Sequence, residues 1–344
     1  MKYYFAPMEG ITRYTYRNAV WKHFPYVDKF YAPFIQPNPR RVFVPKEERD
    51  ILPEHNEGIP LVPQVLTCSA DGFIRAGRAL EAYGYTEVNL NLGCPSGTVV
   101  SKGKGAGMLA DAQKLEEFFN EVFAVEWKAR ITVKTRLGAT EEDDFLELMQ
   151  VFLRFPIAEL IIHPRYRTDF YKGTPRMEWF WQAMRMRDQA GRQVKEGLPG
   201  MDMCYNGNIF TKQDYIQLCP ECHSGILADE DSGSSLNSVM IGRGLLANPA
   251  LVREIKGGPP LTMAELKAFH DDILEHYRRL DFGETNTIYK MKELWNYWGT
   301  IIDNAPRELK RVRKAARYAD YIPAADMLFR TGTLTRTRGY LPGM

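Results

Sequence analysis

No stretch of this chain approaches the twenty or so apolar residues that a membrane-crossing helix needs. Met1-Lys-Tyr-Tyr-Phe-Ala-Pro7 likewise lacks the apolar core of an export signal. A cytoplasmic protein with no membrane partner is expected. Only five cysteines occur, Cys68, Cys94, Cys204, Cys219 and Cys222, too scattered for a disulfide framework. Cys219-Pro-Glu-Cys222-His223 has the spacing of a covalent haem site. No distal ligand accompanies it, and no second Cys-x-x-Cys completes a zinc site, so a solvent-facing turn is expected and no metal is assigned. No G-x-G-x-x-G follows the first apolar run, which argues against a resident dinucleotide. Net charge is small, at +2. From Pro306 onward, however, nine Lys/Arg face three acids, leaving +6 there and −4 in everything before it. Such asymmetry points to a polyanionic partner.

What is present is a recurrence of short β-branched or apolar runs, each followed by a helical stretch. The runs are Tyr3–Met8, Val27–Phe34, Leu61–Leu66, Glu87–Leu92, Ile131–Leu137, Glu159–His163, Met201–Asn206 and Ser238–Ile241. Eight such units over about 250 residues predict an α/β fold, a (β/α)8 TIM barrel. Helices are expected over Lys114–Val125 and Asp143–Phe155, and Thr211-x-x-Asp214 is placed to cap another. The polar segment 219–237 reads as a surface insertion. Gly257-Gly-Pro-Pro260 reads as a linker, so a catalytic domain over 1–256 and a small helical bundle over 261–344 are expected. Thr262-Met-Ala-Glu265 is a capping box for the first bundle helix, with Leu266, Phe269, Ile273, Tyr277 and Leu280 on one face. Met291, Leu294, Trp295, Trp298 and Ile302 mark a second. A third sets Leu309, Val312 and Ala316 opposite Lys310, Arg313, Lys314 and Arg317. That basic face suits nucleic acid, and a merely solvated face would look the same.

In such a barrel the reactive groups sit at the C-terminal strand ends. Asn89-Leu-Asn91-Leu-Gly-Cys94-Pro95 puts two amides on one strand face and a thiol at its tip, ahead of a glycine- and lysine-rich loop from Gly97 to Gly107 read as mobile. Cys94 there is either an acid or nucleophile, or a small buried residue. In Ile131-Thr-Val-Lys-Thr-Arg-Leu137, alternation sends Lys134 and Arg136 into the barrel mouth, where a buried ammonium needs an anionic neighbour. Glu9, in a structural salt bridge, and an electron-rich cofactor edge both qualify. Asn206-Gly207-Asn208 and Gly242-Arg243-Gly244 follow the seventh and eighth strands, where barrels commonly bind phosphate. Phosphate there, with Lys134 and Gln64 for a polar ring edge, describes flavin mononucleotide.

The chain resembles the tRNA-dihydrouridine synthase family. The resemblance rests on Ala6-Pro-Met-Glu-Gly10, Gln64, Asn89-x-Asn-x-Gly-Cys94-Pro, Gly105-Ala-Gly107, Val133-Lys-Thr-Arg-Leu-Gly138, His163, Asn206-Gly-Asn-Ile209 and Met240-Ile-Gly-Arg-Gly244, in the family's order. It implies an FMN enzyme reduced by NADPH, in which flavin N5 gives hydride to C6 of a tRNA uracil and a cysteine, here Cys94, protonates C5. By the same resemblance Pro7, Met8, Glu9, Gln64, Lys134 and His163 line the isoalloxazine, and Asn206, Gly207, Asn208, Gly242 and Arg243 hold its phosphate. Asn91 and Arg165 face the uracil, while Lys102, Lys104 and the basic helix grip RNA. A monomer is expected. A thiol, with its ordinary pKa of about 8.5, suits the acid's role at neutral pH. Departures from the family pattern are His163-Pro164-Arg165-Tyr166-Arg167-Thr168, Asn208 where an Asp is usual, and Leu92 where a Met is usual. Tyr166, Phe170 and Tyr171 offer rings for stacking on the base. Two other classes remain open on the residues alone. One is an FMN barrel oxidoreductase acting on a small pyrimidine or enone, and the other is a non-redox phosphate-binding barrel.

Overall fold

The computed structural model describes residues 1–140, 143–193, 200–218, 236–280, 283–335 and 339–340. The expected insertion over 219–237, with its Cys-x-x-Cys, lies almost wholly outside them. By contacts the chain forms two compact units that interleave along the sequence. The first comprises Met1–Tyr4, Lys29–Gly207 and Glu221–Met240; the second comprises Phe5–Asp28, Asn208–Pro220 and Ile241–Met344.

All eight expected strands are present, most of them shorter than their apolar runs. They are β1 (Lys2–Phe5), β2 (Lys29–Tyr31), β3 (Leu61–Val62) with β4 (Gln64–Val65), β5 (Glu87–Leu92), β6 (Arg130–Arg136), β7 (Glu159–His163), β8 (Asp202–Tyr205) and β9 (Ser238–Ile241). The third strand is counted twice because Pro63 has no N–H for a ladder. The sheet order is β3-β2-β1-β9-β8-β7-β6-β5-β4. Its two ends are therefore the halves of one extended segment, 61–65. That segment pairs through Leu61 and Val62 with β2 and through Gln64 and Val65 with β5, both in parallel, so the sheet closes on itself. The barrel is that of an eight-stranded (β/α)8 fold.

Between the strands of the first unit run helices Ala70–Ala82, Ala112–Phe123, Asp143–Leu153 and Met177–Gln193. Ser69 and Asp111 cap two of them by accepting from the backbone N–H of Gly72 and Lys114. At the N-terminal end of the strands Lys29 Nζ lies 2.7 Å from Glu87 and 3.2 Å from Glu159, and Tyr4 donates to Glu159 at 2.9 Å. Burial alone would lower the Lys29 pKa, but the two carboxylates outweigh it and raise it.

In the second unit the capping box forms as expected: Glu265 N–H donates to Thr262 Oγ1 at 3.2 Å and Thr262 N–H to Glu265 at 2.9 Å. Arg253 grips the same carboxylate through two nitrogens, at 2.6 and 3.0 Å. Its hydrogen bonds bring the Glu265 pKa down to about 2. The helix Met263–Arg279 buries Leu266, Phe269, Ile273 and Tyr277, and Glu284–Trp298 buries Met291, Leu294, Trp295 and Trp298. The third helix, Pro306–Lys314, ends earlier than its charge pattern suggested, so Ala315 rather than Ala316 is buried. Arg313 is half-buried, with a buried Nε that has no hydrogen-bond partner, whereas Lys310, Lys314 and Arg317 are exposed. Two features went unforeseen: a helix, Tyr318–Thr331, and a small antiparallel pairing of Ile302–Asp303 with Thr333–Leu334. Among the described residues no helix is long and apolar enough to cross a membrane.

Candidate active site

The parallel register of the first unit places the ends of β5, β6 and β7 side by side, with Asn91 opposite Lys134 and Arg136 opposite His163. Five polar side chains of the barrel strands, Asn91, Gln64, Asn89, Thr132 and Glu87, are joined in a single row of hydrogen bonds. Gly93 N–H and Cys94 N–H donate to Asn91 Oδ1 at 3.0 and 2.9 Å. Asn91 Nδ2 donates to Gln64 Oε1 at 2.6 Å, Gln64 Nε2 to Asn89 Oδ1 at 2.8 Å, and Asn89 Nδ2 to Thr132 Oγ1 at 3.0 Å. Thr132 closes the row by donating to Glu87 Oε1 at 3.3 Å. The direction of every amide follows from the ends, because a backbone N–H can only donate and a carboxylate can only accept. The row therefore runs one way, from the Cys94 turn to the strands' opposite end.

This arrangement assigns Asn91 a structural task. Its oxygen fixes the turn carrying Cys94, and one amide hydrogen goes to Gln64. Gln64 itself is fully buried with both ends of its amide engaged. Cys94 is half-buried. Its carbonyl accepts from Ala106 N–H at 3.0 Å. Gly105 makes that approach feasible: its φ is +56°, and a Cβ there would come within 2.9 Å of the Cys94 oxygen. The loop read as mobile is thus folded into a short helix, Gly97–Val100, and a 3₁₀ turn, Gly105–Ala110. Lys102 on it is exposed and Lys104 half-buried.

Lys134 is half-buried, and among the described residues it has no ion pair. Burial, with Arg136 repelling it, brings its pKa down to about 8. Arg136, which strand alternation located without a role, proves to be a brace. Its Nε donates to Gly93 O at 2.8 Å and its NH1 to Tyr166 O at 3.1 Å, and it lies 5.4 Å from the Tyr171 ring centre. It thereby links the turn after β5 to the loop after β7.

Arg165 departs from expectation in the same way. It is fully buried, and its guanidinium donates to Lys172 O, Gly173 O and His163 Nε2, the last at 2.9 Å. A residue so enclosed shapes the 166–173 loop instead of facing a substrate. A guanidinium has no lone pair, so His163 Nε2 must be the acceptor, and the imidazole is neutral with its proton on Nδ1. Tyr166 is buried, so of the three candidate rings only Phe170 and Tyr171 stay exposed. Phe170 has φ +51°, a costly conformation in a loop tied by Tyr166 N–H to Asp169 before it and by Arg165 to Lys172 O after it.

Asn206, also in the first unit, donates to Met240 O at 2.8 Å. Gly207 cannot be replaced without moving Tyr205, whose hydroxyl lies 2.0 Å from where a Cβ would sit.

In the second unit Pro7 and Met8 are half-buried and Glu9 exposed, beyond the end of β1. Met8 N–H donates to Thr12 Oγ1 at 2.8 Å, closing a tight turn. A Cβ on Gly242 would lie 4.0 Å from Met8 Sδ. Arg243 NH2 donates to Asn208 Oδ1 at 3.1 Å.

A closed parallel barrel whose strand ends gather a thiol, an ammonium with no ion pair among the described residues and a neutral imidazole is the framework of a barrel enzyme. The chain belongs to the dihydrouridine synthase (Dus) family, whose sequence model it matches over residues 4–316. It is accordingly a flavin-dependent oxidoreductase. It is similar to the probable tRNA-dihydrouridine synthase 2 of Bacillus subtilis, at 26% identity over 80% of this chain and 78% of the relative. It is also similar to the tRNA-dihydrouridine(16) synthase of Neisseria meningitidis serogroup B, at 30% identity over 71% of this chain and 67% of that one. Among solved structures, a variant of NCR from Zymomonas mobilis aligns with a TM-score of 0.47 at 13% identity, over 76% of this chain and 88% of that chain.

Proposed function

We propose that this protein reduces the C5–C6 double bond of uridine in tRNA, with FMN as resident cofactor, NADPH as reductant and Cys94 as the acid that completes the saturation. The observation that carries the reading is the mounting of Cys94. Asn91 Oδ1 and Arg136 hold its turn from two sides, which is more restraint than a packing cysteine needs. The residues present suit a flavin. An ammonium with no ion pair among the described residues, and with a pKa near 8, complements an electron-rich ring edge, and Lys134 is assigned to the N1/O2 side. Pro7, Met8, Glu9 and His163 are assigned to the ring, and Asn206, Gly207, Asn208, Gly242 and Arg243 to the phosphate. Gln64 acts through Asn91. When bound, FMN supplies the hydride that adds to uracil C6.

Each residue then has a defined task. Cys94 Sγ carries the proton destined for C5. Asn91 and Arg136 keep that sulfur at the strand end. Arg165 fixes the loop that presents Phe170 and Tyr171, and keeps His163 neutral. A uridine must leave its stack to reach such a site. Lys102, Lys104, Lys310, Lys314 and Arg317 are assigned to the RNA backbone. A tRNA substrate sets the reaction in the cytoplasm.

The test is incubation of the full chain with unmodified tRNA and NADPH, followed by mapping of dihydrouridine. Cys94→Ala is expected to retain flavin and to oxidise NADPH while giving no dihydrouridine. An undiminished yield from that variant would remove Cys94 from the mechanism.

A further inference from the structure

Arg243 is held by more than Asn208. Its guanidinium carbon lies 5.3 Å from the ring centre of Phe210 and 5.3 Å from that of Tyr340. The two rings meet edge-on at 5.6 Å. The three centres thus form a nearly equilateral triangle, with the cation seated in the corner between two aromatic rings. All three residues belong to the second unit. Tyr340 arrives from about a hundred residues away in sequence, and two features fix it there. Tyr297 stacks on it at 5.3 Å with planes 29° apart. Gly339 lies directly on Phe210, where a Cβ would fall 2.2 Å from the Phe210 oxygen, so only glycine lets the backbone come so close.

We propose that Tyr340 is a positioning residue for the cofactor: its ring orients the Arg243 guanidinium so that the fork addresses the FMN phosphate. The inference rests on the assignment of Arg243 to that phosphate. A long cationic side chain loses rotamer freedom when it grips an anion, and a side chain already seated between rings and tied to Asn208 has less left to lose. The ring face attracts the cation electrostatically and so sets the plane in which the guanidinium N–H groups donate. Tyr340 therefore contributes to affinity for the phosphate alone, without touching it.

Riboflavin, which is FMN without the phosphate, isolates the effect. Flavin-free full-length protein is titrated with FMN and with riboflavin, following flavin fluorescence. Tyr340→Ala is expected to weaken FMN about five- to tenfold, between the values for an exposed and a desolvated cation–ring contact as suits two half-buried side chains, and to leave riboflavin within twofold. Tyr340→Phe keeps the ring and is expected to restore FMN affinity. Arg243→Ala is expected to abolish most of the preference for FMN, and adding Tyr340→Ala to it to cost nothing more. Equal losses for both flavins in Tyr340→Ala, or no loss for either, would overturn the inference while leaving the phosphate assignment intact. An unchanged FMN preference in Arg243→Ala would overturn both.

Discussion

Replacing Asn91 with alanine removes one side chain and three hydrogen bonds: those from Gly93 N–H and Cys94 N–H to Oδ1, and that from Nδ2 to Gln64 Oε1. At about 1 kcal/mol net each, the loss is about 3 kcal/mol. For a chain of 344 residues, unfolding entropy of about 0.7 kcal/mol per degree turns this into a drop of about 4 °C in Tm. The local effect is more telling. The turn stays attached through Arg136 to Gly93 O and through Ala106 to Cys94 O, so the fold survives while the two amides lose their acceptor. Each amide loses one bond, and at about 1 kcal/mol that predicts roughly fivefold faster hydrogen exchange at Gly93 and at Cys94, read by mass spectrometry of the peptide spanning them. Asn91→Asp provides the contrast. It keeps the oxygen that accepts from both amides and loses only the donor toward Gln64, so their protection should persist. If the alanine variant loses stability while both amides remain protected, the tether is something other than Asn91 and the account of how Cys94 is mounted fails.

Two further predictions concern charge. In flavin-free protein the Lys134 ammonium loses its proton near pH 8, whereas in the unfolded chain it does so near the ordinary lysine value of about 10.5. Between those values the unfolded state binds more protons, so stability rises as pH climbs through that window, and Lys134→Met should flatten the rise. Urea midpoints at pH 7.5 and 10 compare the two proteins, and equal slopes would contradict the assignment. Reversing Lys310, Lys314 and Arg317 to Glu should weaken tRNA binding and flatten its dependence on salt; Arg313, half-buried, is left in place. Unchanged affinity would leave these residues as a solvated face.

The barrel was legible in the sequence because its signal is local. Eight apolar runs alternate with helical stretches, and alternation within Ile131–Leu137 correctly turned Lys134 inward. The closure was less legible, since Pro63 splits one strand in two and only the pairing with β2 on one side and β5 on the other reveals a single segment. Roles assigned to isolated side chains fared differently. The family resemblance points Arg165 at the substrate, and nothing nearby in the sequence shows that its guanidinium is spent on the carbonyls of Lys172 and Gly173. The Gly97–Gly107 loop read as mobile because glycine permits disorder; here Gly105 permits a close approach that orders it. Tyr340 could not be connected with Arg243 at all, because no periodicity links positions so far apart.

The one-way row of amides from Cys94 to Glu87 carries an implication for how this interior can change. Turning any single amide around would set oxygen against oxygen on one side and hydrogen against hydrogen on the other, so relief requires every unit to turn, and the fixed termini forbid it. Neutral drift at Gln64, Asn89 or Asn91 is therefore expected in coordinated steps, with donor count and handedness preserved along the whole line, even where volume alone would tolerate a swap.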